Sequence, residues 1–118
     1  MKITEEMTRV CYETAKAIHD NKSGIKSNAK SISKFTGMNS VSARDYLQGF
    51  FCMMSGEKMK RAMAEKDIRY YFTRIYSEYG REALQHAVNS LQGYLDNDNQ
   101  KHPSLQKVID EFTENYLK

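Results

Sequence analysis

Residues 34–47 read KFTGMNSVSARDYL, and the reading of this stretch decides the fold. Phe35 closes a short amphipathic segment, Gly37 stands where a helix needs a left-handed C-terminal cap, and Asn39 or Ser40 can cap the next helix. Small or apolar residues fall at Thr36, Gly37 and Met38, then at Ala43 and Leu47, one and two turns into the second helix. The spacing predicts a tight helix-turn-helix unit over about residues 27–55. Two antiparallel helices joined by a glycine turn are also ordinary packing in all-helical domains, so a purely structural role stays open beside a recognition role.

Outward from the turn, apolar residues recur at intervals of three and four, no strand-type alternation of useful length occurs, and the one proline is Pro103. The class is therefore all-α, a single compact bundle of about five to six helices. The first helix is expected from Thr4, its cap, to about Asp20, with Glu5 and Glu6 at the positive end of the dipole and Met7, Val10, Cys11, Thr14 and Ile18 inward. Ser23 or Ser27 begins the second, which turns Ile25, Ala29, Ile32 and Phe35 inward. The third runs from about Ser40 through Tyr46, Leu47, Phe50, Phe51 and Met54 to near Gly56.

A basic linker, EKMKRAM from Glu57 to Met63, leads to a fourth helix that carries Ile68, Tyr71, Phe72, Ile75, Tyr76 and Tyr79 on one face and ends at Gly80. The fifth buries Ala83, Leu84, Ala87, Val88, Leu91 and Leu95 and ends in the polar loop Asp96 to Asn99. The last, about residues 103–117, opens on a proline favoured in a first turn and buries Leu105, Val108, Ile109, Phe112 and Tyr116.

A chain of 118 residues suits one domain, 1–118. The net charge of +3 is mild but segregated: residues 22–74 hold eleven Lys or Arg against four acids, so this region is +7 and the flanks together −4. Such segregation points to an anionic partner for the middle of the chain. Cys11 and Cys52 lie within helical patterns and form neither a metal-ligand spacing nor a disulfide framework. No run approaches the roughly 18 apolar residues of a membrane span, and no signal-type run follows Met1. A cytoplasmic protein without a membrane partner is expected.

Catalysis finds no support in the residues. His19, His86 and His102 lack the i, i+4 spacing that places two imidazoles on one metal. Glu5 with Glu6, or Asp110 with Glu111, point about 100° apart on a helix and cannot share acid and base duties. No phosphate-cradling glycine loop and no nucleophile elbow occurs. No enzyme activity, catalytic residue, metal or cofactor is expected.

Nucleic-acid binding has a better case. Lys26, Lys30 and Lys34 line one helix edge, where like charges repel by a few tenths of a kcal/mol per pair; phosphate contact is the specific explanation of that alignment, and a solvated surface face is the alternative beside it. Asn39, Ser40, Ser42 and Arg44 occupy the first turn of the helix after Gly37, where arginine can read guanine, asparagine adenine, and serine a phosphate or base. Asp45 can pair with Arg44 in cis instead. Lys58, Lys60 and Arg61 add a basic cluster that serves either phosphate contact or solubility. Tyr70, Tyr71, Tyr76 and Tyr79 read as core at their helical spacing rather than as base-stacking platforms.

The turn resembles the helix-turn-helix of bacterial repressors, which commonly places its second helix in the major groove and acts as a dimer. A longer series is similar to the helical N-terminal region of bacterial HNH-type endonucleases: Thr36-Gly37-Met38-Asn39, then Ser42-Ala43-Arg44-Asp45-Tyr46-Leu47, Met53-Met54-Ser55-Gly56-Glu57 with Arg61, Ile75-Tyr76-Ser77-Glu78-Tyr79-Gly80, and Ala83-Leu84-Gln85-His86-Ala87. It covers about residues 35–95. The resemblance implies a recognition or accessory domain that in those nucleases precedes the cleavage domain. The His-Asn-His portion is absent here, so cleavage does not carry over, and Leu91-Gln92-Gly93-Tyr94-Leu95 stands where the family tends to histidine and paired aromatics. The start at Met1 and the sixth helix fit a free-standing copy.

The expected function is a non-catalytic domain that binds duplex DNA, as a possible homodimer. The alternative is a protein-interaction module that binds and inhibits or regulates a nuclease, such as a phage- or mobile-element-encoded anti-defence inhibitor of the anti-CRISPR kind.

Overall fold

The computed structural model describes residues 2–21 and 25–118, with the side chains of residues 21 and 25–27 outside the description. Lys26, the inward placement of Ile25, and Ser23 or Ser27 as a cap therefore lie outside the described residues. Six α-helices follow one another: α1 (Glu5–Asn21), α2 (Ile25–Thr36), α3 (Ser40–Ser55), α4 (Glu65–Tyr79), α5 (Arg81–Asn97) and α6 (Pro103–Phe112), and a π-helical turn (Thr113–Leu117) closes the chain. Among the described residues there is no strand. The class is all-α. The helices gather into two compact units, Met1–Phe51 and Cys52–Lys118, with the boundary inside α3.

In the first unit, the Thr4 hydroxyl accepts the Met7 amide at 3.2 Å, and Glu5 and Glu6 occupy the first turn. α1 buries Met7, Cys11 and Ile18 as its periodicity predicts, together with Thr8, Tyr12 and Ala15. Val10 and Thr14 are only half-buried. The apolar stripe is thus rotated towards Tyr12, whose ring meets Phe50 edge-on at 5.2 Å. Such a pair contributes about 0.5–1.5 kcal/mol beyond burial. Met38, fully buried, takes the Cys11 thiol on its sulfur at 3.5 Å.

Phe35 departs from expectation. It is 80% exposed, because the inward line of α2 runs Ala29 to Ile32 and the chain then turns at Gly37, so that Met38 takes the interior position the periodicity assigns to Phe35.

In the second unit, α4 buries Asp67, Ile68, Tyr71, Phe72 and Ile75, while Tyr76 and Tyr79 sit at its margin. α5 buries Leu84, Ala87, Val88, Ser90 and Leu91, with Ala83 and Leu95 half-buried. Phe112 of α6 packs edge-on against Phe72 at 5.3 Å. The π turn changes the register at the end: Leu117, five residues after Phe112, is buried, and Tyr116, expected inward, is 40% exposed against Tyr76 at 4.7 Å. Residues 57–63 are not a loose linker either. Met59 and Met63 are buried, the Met59 amide donates to the Ser90 carbonyl at 3.2 Å, and a Cβ on Gly93 would stand 3.3 Å from Cβ of Lys58.

Candidate nucleic-acid interface

The turn between α2 and α3 is built from local hydrogen bonds. Gly37 adopts φ 81°, the left-handed value that glycine reaches without a Cβ clash, and its amide donates to the Ser33 carbonyl at 2.9 Å. The Thr36 hydroxyl donates back to the Ile32 carbonyl at 2.7 Å and accepts the Met38 amide at 3.1 Å. Asn39, not Ser40, caps α3: its Oδ1 accepts the amides of Val41 at 2.9 Å and Ser42 at 3.2 Å. These bonds tie the turn to its neighbours and hold the first turn of α3 in a defined place.

This scaffold carries Lys30 and Lys34 on α2 and Asn39, Ser40 and Arg44 at the start of α3, all exposed, with Ser42 half-buried. Among the described residues, none of Lys30, Lys34 and Arg44 has an acidic partner within salt-bridge distance, so the cis pair between Arg44 and Asp45 does not form. Four other arginines are engaged, whereas Arg61 is exposed and has no acidic partner within salt-bridge distance among the described residues. Arg9 is held by Glu6 and by Glu13 at 2.8 Å, Arg69 by Glu65 at 3.1 Å and Glu111 at 2.8 Å, Arg74 by Glu78 at 2.6 Å, and Arg81 by the Leu117 carbonyl. Hydrogen bonding to Glu111, then to Glu65, holds the Arg69 guanidinium above its ordinary pKa. Cations committed in this way are poor candidates for an external anion.

Asn39 fits base reading less well than the sequence suggests. Pairing with adenine in the bidentate manner needs both the amide nitrogen and the oxygen, and the two backbone amides of the cap already occupy the oxygen. Its Nδ2 remains as a single donor. Sequence reasoning had no means of separating the two uses of one side chain.

Lys58, Lys60 and Arg61 belong to the second unit, where all three are exposed. Burial of Met59, between Lys58 and Lys60, and of Met63, two residues after Arg61, anchors the backbone that presents them. Burial also pushes the Cys52 thiol up, with Glu57 adding to the shift and Lys60 opposing it.

Among the described residues no group of three His, Cys, Asp or Glu is gathered as a metal site requires, and no helix is long and apolar enough to cross a membrane. His102 meets Asp98 at 2.6 Å between α5 and α6, and His86 approaches Glu82 at 4.0 Å; each is a contact between a histidine and a carboxylate four residues away. No protein family, no curated protein and no solved structure matches the chain.

Proposed function

We propose that the chain is a non-catalytic duplex-DNA-binding domain whose α2–α3 unit presents the start of α3 to the major groove, in the manner of a helix-turn-helix. The observation that carries the reading is that Lys30, Lys34 and Arg44 are exposed on one helix-turn-helix-like unit with no acidic partner among the described residues, whereas Arg9, Arg69 and Arg74 are ion-paired. Lys30 and Lys34, with Lys26 by its sequence register, contact phosphates; Arg44 and Ser42 reach base edges; Ser40 and the Asn39 Nδ2 donate to the backbone. Lys58, Lys60 and Arg61 offer a separate set of phosphate contacts on the second unit.

Fluorescence anisotropy against random duplex DNA at about 50 and 200 mM salt tests this, because three neutralised phosphates weaken binding by roughly 40-fold over that range. Lys26, Lys30 and Lys34 changed together to Ala flatten the salt slope and weaken all sequences alike. Arg44→Ala relaxes sequence preference while leaving most of the slope. Absence of binding at the lower salt overturns the proposal.

A further inference from the structure

A groove of about 650 Å³ lies between α1 and α2, lined by Val10, Thr14, Asn28, Ser31, Ile32, Lys34 and Phe35. Its walls are the half-buried Val10, the outer edge of the buried Ile32 and the 80% exposed side chain of Phe35. Leaving a phenylalanine ring in water forgoes the free energy of burying it, and an aromatic ring beside a concave apolar surface is the feature that partner side chains use as an anchor. Duplex DNA has no apolar projection of this kind to fill such a trough.

Charge selects the occupant. α2 holds Lys26, Lys30 and Lys34 and no acid, and Lys34 itself lines the groove. On α1 the neighbouring acids Glu6 and Glu13 are both held by Arg9, so they do little to neutralise the lysines. A second copy of the chain would bring Lys34 against Lys34.

We infer that this groove receives an amphipathic α-helix of a partner protein, with an apolar stripe at i, i+3/i+4 and i+7 that packs on Val10, Ile32 and Phe35 and acidic residues that face Lys34 and Lys30. This docking does not depend on the DNA reading. Lys34 belongs to both surfaces, so the acidic helix and DNA compete for it.

The test is a titration, without DNA, of a fluorescein-labelled synthetic helix of about 16 residues with leucines in that stripe and glutamates elsewhere, beside a peptide of the same composition with the stripe scrambled and one with lysine for glutamate. The full chain binds the acidic amphipathic peptide at least tenfold more tightly than either control. Phe35→Asp and, separately, Val10→Lys weaken it at least tenfold; both positions are at least partly exposed, and circular dichroism verifies that the helices persist. Equal binding of the acidic and scrambled peptides, or no effect of Phe35→Asp, overturns the inference. So does a concentration-dependent dimer that Phe35→Asp dissociates in sedimentation, since the groove is then filled by a second copy.

Discussion

Gly56 leaves room for His86 within the second unit: a Cβ at Gly56, where φ is 83°, would stand 3.0 Å from Nδ1 of His86. Gly37 has nearly the same φ, 81°, yet a Cβ there would meet nothing within 4 Å. Left-handed strain alone costs an L-residue about 1–2 kcal/mol. Gly37→Ala should lose that much in urea denaturation, and Gly56→Ala measurably more. Adding His86→Ala to Gly56→Ala should return the loss to the level of the Gly37 variant. Equal losses for the two glycines would mean that the imidazole swings aside freely.

Asn39→Ala should destabilise the chain by about 1 kcal/mol through loss of the α3 cap, and Asn39→Asp should keep most of that stability because a carboxylate accepts the same amides at the positive end of the helix. Sequence preference on DNA should change little in Asn39→Ala compared with Arg44→Ala. A preference switch at an adenine in the Asn39 variant would show that the side chain leaves its cap when DNA binds.

The hydrogen bond from His102 is the largest cause holding the Asp98 carboxyl below the ordinary carboxylate range. A depressed folded value stabilises the fold above the unfolded value near pH 4, and that contribution is lost as pH falls through the folded value. Carboxyl carbon NMR titration should place Asp98 below the ordinary aspartate range, and His102→Ala should move it upward. An unchanged midpoint in that variant would leave the 2.6 Å contact without influence on the carboxyl.

At the C-terminal turn, Leu117→Ala should cost about 2 kcal/mol and Tyr116→Ala under about 1 kcal/mol, by chemical denaturation. An α-helical continuation, with Tyr116 inward, would reverse that order.

The helices and the α2–α3 turn were legible because their causes are local. Gly37, Asn39 and Thr4 act on groups within four residues, and the three-and-four periodicity of α3 and α6 marks an inward face wherever that face finds its cover. The candidate cations were legible as types, but not their freedom: whether Arg44 pairs with Asp45, or Arg69 with Glu111 forty-two residues away, depends on where distant side chains arrive. Met59 and Met63 stand four apart in a basic stretch that forms no helix, so their spacing alone does not mark them as anchors.

By itself, the sequence determined an all-α chain, the order of its six helices, the glycine turn before α3 and the concentration of positive charge in its middle, since propensity, capping and charge are properties of neighbouring residues. Only the tertiary structure decided that Phe35 faces water while Met38 is buried, that α1 turns Tyr12 inward, and that a π turn exchanges Tyr116 for Leu117. Burial is settled by non-local packing: an interior position has volume for one side chain, and which residue fills it depends on segments that sequence spacing does not place.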